Sequence, residues 1–218
     1  MPRSALIAEL VAIYVALPLA YRFSPLRIPA LPLLWVVAAY AWSRLLAAPA
    51  FDRTKLWNIA QIHGRVVPIL AVFAASALLI WIAVHRFAPQ LEFSFVRTNT
   101  AFWAIVMVAY PVLSVYPQGV LYRAFFFERY TSLFPGKWTM ILASAAAFAF
   151  LHIIFRNWIA VALTFAGGLL FAWRYAETGS LAVSCFEHSL YGCWLFTIGL
   201  GQFFYHGTIA TFGSMMRR

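Results

Sequence analysis

Seven apolar runs, each long enough or nearly long enough to cross a bilayer, account for most of this chain. They run Ala5–Ala20, Leu31–Ala48, Val66–Val84, Ala101–Tyr116, Trp138–Phe155, Trp158–Trp173 and Leu181–Gly201. A membrane-crossing helix needs about 20 apolar residues, within a range of about 17–25. The longest polar link, Ala50–Arg65, reads as an interfacial helix or loop. Of the 218 residues, 64% are hydrophobic and 10% charged. A soluble domain is nearer half apolar and a quarter charged, which excludes a cytosolic enzyme, a nucleic-acid module and a disordered chain. The runs are too long for strands and lack alternation. The expected fold is all-α: a polytopic helical membrane protein of about seven transmembrane helices in one domain. Residues 1–100 form accessory spans and 101–207 a core.

The charge agrees with this reading. Sixteen Lys and Arg against six Asp and Glu give +10. In a soluble chain that excess suggests nucleic acid. Here the basic residues lie mostly between apolar runs, where lipid headgroups attract them, so membrane lipids are the expected partner and nucleic acid is not. Their split between the two sides, nine to seven, is too even to fix an orientation. The first run reads as a retained span, since no small-residue cleavage site follows it. Cys185 and Cys193 share one apolar run without a CxxC and read as small core residues.

Polar residues inside spans are the informative ones, because an intramembrane ionisable group is by default a functional candidate. Pro117 is read as ending the fourth span and opening a helix over the aromatic segment Gln118–Phe134. There Gly119 and Arg123 share one face, as do Gln118 and Tyr122. His152 lies deep in an apolar run and needs a partner or a cavity. Glu187 and His188 are adjacent, so at about 100° per residue they point to different sides. Gly167 and Gly168 suit close helix packing. His63, His85 and His206 sit near polar ends. Tyr191 and Tyr205 read as boundary or core aromatics.

Three motifs in chain order carry a resemblance. A Q-G-x-x-x-R stretch follows a proline (Gln118, Gly119, Arg123). An F-x-x-x-H stretch follows (Phe148, His152). A later span holds His188, with Gly192 four residues on. Over roughly 101–207 this resembles the CPBP family of CAAX-type prenyl proteases, bacteriocin-processing enzymes and abortive-infection proteins. The resemblance implies an intramembrane endopeptidase, multi-pass, in a bacterial cytoplasmic membrane. Its substrate would be a membrane-associated or lipid-anchored peptide or protein. In that family the first motif is E-E-x-x-x-R, and its first glutamate and two histidines activate water in a cavity. The resemblance therefore implies His152, His188, Gln118, Gly119 and Arg123 as the catalytic set, with Phe148, Tyr122 and Gly192 against the substrate.

The departures are specific. Gln118 and Gly119 replace both motif glutamates, and Gly192 replaces a polar residue. A glutamine can orient a water but cannot take its proton. A carboxylate would have to come from Glu187 or Glu128. Otherwise the chain is an inactive relative that binds a peptide or protein in the membrane, or one whose site has been altered by design. A small transporter is a further alternative. The cofactor stays open: zinc or another divalent metal would have His152 and His188 as ligands, and two imidazoles without a carboxylate make a poor zinc site. The sharpest expectation is local. His152 and His188 face one another across a cavity between the fifth and seventh spans, with Gln118 and Arg123 on its wall.

Overall fold

The structure is a computed structural model and describes residues 2–26 and 28–204. The last three residues of the expected core, Tyr205, His206 and Gly207, lie outside the described residues. Among those described, every regular element is a helix. Seven long helices appear in chain order: α1 (Arg3–Phe23), α2 (Ala30–Leu46), α3 (Val66–Phe87), α4 (Thr100–Arg129), α5 (Lys137–Phe155), α6 (Trp158–Thr178) and α7 (Leu181–Ile198). Five of them, α1, α3, α4, α5 and α6, are long and apolar enough to cross a membrane. At 17 residues, α2 is apolar but shorter. The seventh, α7, is diluted by Ser184, Glu187, His188 and Ser189 and does not join the five. The structure therefore supports five crossing helices by length and composition where the sequence suggested seven.

Connections between helices are marked by side-chain caps. Asn99 accepts from the Phe102 amide at 3.0 Å, Asn157 from Ala160 at 2.8 Å and Ser180 from Val183 at 3.3 Å. Each satisfies an amide that a helix start leaves without a partner. Gly199 ends α7 in the left-handed region at φ 103°, and a Cβ there would run into the Leu91 carbonyl. The same close approach lets the Phe93 amide donate to the Ile198 carbonyl at 3.2 Å. Ion pairs tie helices to one another. Arg129 grips Glu9 through two 2.8 Å bonds, joining α4 to α1. Lys137, at the start of α5, pairs with Glu177 near the end of α6.

The largest correction concerns α4. Neither Pro111 nor Pro117 ends it; one helix of 30 residues passes through both. A proline inside a helix removes a donor, and its ring crowds the carbonyl one turn back. The backbone responds by widening into π-type turns at Pro111–Val115 and Val120–Phe125. Wide turns expose carbonyls, which cannot stay unpaired in lipid. Side chains from three neighbours take them. Trp35 of α2 donates to the Leu113 carbonyl at 2.9 Å, Tyr14 of α1 to Leu121 at 2.8 Å, and Ser144 of α5 to Tyr122 at 2.6 Å.

The stretch 117–126 of α4 is buried at every position. That explains its aromatic and apolar residues on all sides, since a helix apolar all round belongs in the interior. Around it pack Tyr14, Ala41, Leu45, Met140, Phe148, Phe171 and Leu181 from five other helices. By contrast Val36, Val67, Leu79 and Val108 lie exposed on the outer surface, where lipid is the natural solvent.

Replacing Tyr14 by Phe leaves the Leu121 carbonyl without its donor. In detergent, Tyr14→Phe should lower stability by about 0.6–1.5 kcal/mol, the range for hydrogen bonds between membrane helices. Ser144→Ala should do the same. A thermal melt of each variant beside the parent checks this, and an unchanged midpoint for both would remove the carbonyl-capping role.

Candidate active site

Four residues of α4, spaced four apart, form one polar stripe: Tyr110, Ser114, Gln118 and Tyr122. In an ordinary helix this spacing drifts around the axis. The wide turns at Pro111 and Val120 turn less per residue and keep the stripe on one face. All four line a cavity of about 1810 Å³ that reaches from the middle of the bundle towards the connection between α1 and α2. Phe148 and His152 of α5, Phe171 of α6, and His188, Tyr191 and Gly192 of α7 complete its inner wall.

His152 sits where α5 tightens into its last 3-10 turn and is 6% exposed. Its Nδ1 lies 2.8 Å from the Phe148 carbonyl. A carbonyl can only accept, so Nδ1 carries the proton and Nε2 holds a free lone pair. His188 is equally buried. Its ring stacks on Phe171 with centroids 4.5 Å apart, and its Nε2 is 3.3 Å from the Tyr110 hydroxyl. Phe148 stands between the histidines, 4.8 Å from one ring and 5.5 Å from the other. The two imidazoles therefore share one cavity, as the sequence reading expects. Gln118 shares it too. Its Nε2 donates to Ser114 Oγ at 2.7 Å, while its Oε1 is buried without a hydrogen-bond partner.

Arg123 departs from expectation. It lies behind the cavity wall, not on it. The guanidinium is 4.3 Å from the Phe148 ring centroid and 5.5 Å from that of Phe171. It is 1% exposed, and none of its three nitrogens has a hydrogen-bond partner among the described residues. Glu187 departs further. It is fully buried and grips Arg174 at 2.7 and 3.0 Å, and it does not line the cavity that His188 lines. Its charge is already committed to that pair. Glu128 lies ten residues beyond Gln118 on the same helix, about 15 Å along its axis, and does not line the cavity. Neither acid supplies the carboxylate that the sequence left open.

Both glycine departures turn out to be filled. A Cβ on Gly119 would lie 2.6 Å from Cys185 Sγ and 3.0 Å from Leu181 Cδ1. A Cβ on Gly192 would overlap the ring and hydroxyl of Tyr110. Cys185 and Tyr110 thus occupy the space that larger residues at 119 and 192 would need. Tyr122, fully buried, packs edge-on against Tyr14 at 5.3 Å and Phe148 at 5.4 Å while reaching the cavity.

Sequence reasoning missed Tyr110, Ser114, Phe171 and Cys185. The four-residue spacing of Tyr110, Ser114 and Gln118 was the available signal, hidden by reading Pro117 as a helix end. A metal does not fit these donors. Among the described residues no group of three His, Cys, Asp or Glu could hold one. One histidine nitrogen faces a carbonyl and another a phenol.

Residues 98–194 match the family described as type II CAAX prenyl endopeptidase, Rce1-like. No curated protein and no solved structure gives a significant match. The matched segment runs from the start of α4 into α7 and holds all three motifs. It supports the CPBP/CAAX protease family to which those motifs point, and with it an integral membrane protein of protease type.

If Tyr110 fills the space above Gly192, the two positions are coupled. Gly192→Asn alone should destabilise the protein by about 1–3 kcal/mol through overpacking. Combining it with Tyr110→Ala should recover most of that loss. A double-mutant cycle by thermal unfolding measures the coupling, and strict additivity would show the two positions to be independent.

Proposed function

We propose that this chain is an intramembrane endopeptidase acting on a membrane-associated or lipid-anchored peptide. The observation that carries the reading is that His152, His188 and Gln118 all line one cavity inside the helix bundle. Amide hydrolysis needs a base for water and donors for the oxyanion. In this reading His152 is the base. Its Nε2 lone pair is free because Nδ1–H is held by the Phe148 carbonyl. Gln118 orients the water through Oε1, which is kept available because Nε2 is engaged by Ser114. The Tyr110 hydroxyl and His188, in contact with one another, are the donors nearest the developing oxyanion. Phe148, Tyr122 and the small Gly192 shape the space beside the scissile bond.

A second reading is favoured by one observation: no Asp or Glu lines the cavity. It holds that the chain binds a membrane peptide in this site without cleaving it.

Cleavage of a membrane-peptide library by the reconstituted protein separates the two. If the protein cleaves, His152→Ala should reduce the rate about 10²–10⁴-fold, the usual contribution of a positioned base. Gln118→Glu is nearly isosteric and should raise the rate. Gly119→Glu should not help by itself, because Cys185 and Leu181 fill its space. Cleavage by Gln118→Glu alone would favour the binding reading for the natural chain. Undiminished cleavage by His152→Ala would remove His152 from the mechanism.

A further inference from the structure

The cavity is apolar through most of its lining, yet its mouth is cationic. Arg22, in the last turn of α1, and Arg156, in the turn between α5 and α6, both line it. Arg156 is exposed, as are Leu26 and Ile28 beside it in the lining, which places the opening here. Arg156 also reaches across, since its Nη2 donates to the Arg22 carbonyl at 3.2 Å. Two arginines from distant parts of the chain thus meet at one opening. Ser24 joins them in the lining. Its Oγ accepts from the Leu26 amide at 3.0 Å, which leaves its O–H free to donate.

No acid of the chain answers these charges. All six are described. Glu9, Glu92, Glu177 and Glu187 pair with Arg129, His85, Lys137 and Arg174. Asp52 follows α2 and Glu128 ends α4, at the opposite end of the bundle, and neither lines the cavity. The backbone gives a second observation. Arg156 sits at φ 61°, in the left-handed region that suits glycine and crowds a Cβ. The turn itself would favour glycine, so the side chain is what arginine adds.

Behind the mouth the lining is hydrocarbon, including Leu17, Leu34, Leu151, Leu163 and Leu170. The volume of about 1810 Å³ exceeds the roughly 300–1,000 Å³ of pockets that hold drug-sized ligands. An occupant that satisfies both ends has a compact anionic head and a long apolar body. The planar fork of arginine matches two phosphate oxygens at once. Helix ends of a membrane protein also lie at headgroup level, where basic residues meet anionic lipid.

We propose that this opening binds one anionic phospholipid, with its phosphate held by Arg22 and Arg156 and an acyl chain lying in the cavity. The lipid supplies the negative charge that the chain does not bring to this end of the cavity. The site does not rest on cleavage, so it holds for a protease and for a binding protein alike.

The test uses the full chain in neutral detergent with dioleoylphosphatidylglycerol, and dioleoylphosphatidylcholine as the zwitterionic control. Native mass spectrometry counts the lipid retained across a titration of each. One phosphatidylglycerol should bind roughly 10- to 30-fold more tightly than phosphatidylcholine, since each arginine beside an anionic lipid contributes about a factor of five. Arg22→Ala with Arg156→Gly should remove that preference, and glycine suits the backbone at 156. Arg22→Gln alone should reduce it about fivefold. Arg86→Ala removes an exposed charge at the end of α3, outside the cavity, and should leave it unchanged. Leu163→Trp keeps both arginines but fills the space behind them, and should weaken binding of both lipids. Equal affinity for the two lipids in the parent would overturn the proposal, as would a preference that survives the double variant. An equal loss in Arg86→Ala would show general surface charge in place of a site. Displacement of the lipid by an equal concentration of glycerol 3-phosphate would assign the arginines to free phosphate. Undiminished binding by Leu163→Trp would put the acyl chain outside the cavity. Either of these last two results would also overturn it.

Discussion

A helix that carries two prolines through the middle of a membrane protein must find partners for the backbone groups it sets free, and the rest of this fold is arranged around that requirement. Lipid offers no hydrogen bonds, so each exposed carbonyl of α4 has to be met by a neighbouring helix. Tyr14, Trp35 and Ser144 meet three of them from α1, α2 and α5. These bonds fix the depth and rotation of three helices relative to α4. The same wide turns hold Tyr110, Ser114, Gln118 and Tyr122 on one face, so the backbone irregularity and the polar cavity share one cause.

Packing around the two glycines shows how the interior stays filled at the positions where the chain differs from the motifs it resembles. Losing a side chain from an interior usually leaves a void that costs about 24 cal/mol per Å³. Here Cys185 sits over Gly119 and Tyr110 over Gly192. The tyrosine brings a hydroxyl to His188, so the polar character of the site is kept by a residue from another helix. The cysteine fills volume over Gly119 without bringing a carboxylate. The two substitutions are therefore unequal. At 192 the space is filled by a hydroxyl-bearing ring, and at 119 by a thiol and a leucine.

Much of the site was legible in the sequence because polar residues in apolar runs have few explanations. His152, His188 and Gln118 line one cavity, the grouping that the family resemblance implied. Glu187 and His188 point in different directions, as about 100° per residue requires, one to Arg174 and one to the cavity. Three things were not legible. Pro117 looked like a helix end because local propensity argues against proline in a helix interior, and only donors from neighbouring helices offset that cost. Arg123 looked like a wall residue because its i,i+4 face is set by the helix, while the aromatic rings that cover it come from α5 and α6. Tyr110 could be matched to Gly192 only once α4 and α7 were known to touch. Local chemistry can be read from the sequence. Which side chain fills which gap is decided by packing between distant segments.

Exchanging glutamate for glutamine at 118 changes more than the supply of a base. A glutamate in that position would present two acceptor oxygens and a charge. Gln118, with its amide nitrogen bound to Ser114, presents one acceptor oxygen and no charge. The direction in which a water would be held is kept, because it depends on an acceptor at that point on the wall. In the proposed reading proton removal rests on the lone pair of His152, whose other ring nitrogen is held by the Phe148 carbonyl. The local field changes as well. A carboxylate at 118 would set a negative charge against that of Arg123. Without one, the formal charges at the cavity are all positive: Arg22 and Arg156 in its lining and the guanidinium behind Phe148. A positive field unopposed in a medium of low dielectric acts over many ångströms, and it favours any anion that enters. With neutral residues at both 118 and 119, α4 offers no base at these positions and sets no negative charge against the arginines beside the cavity.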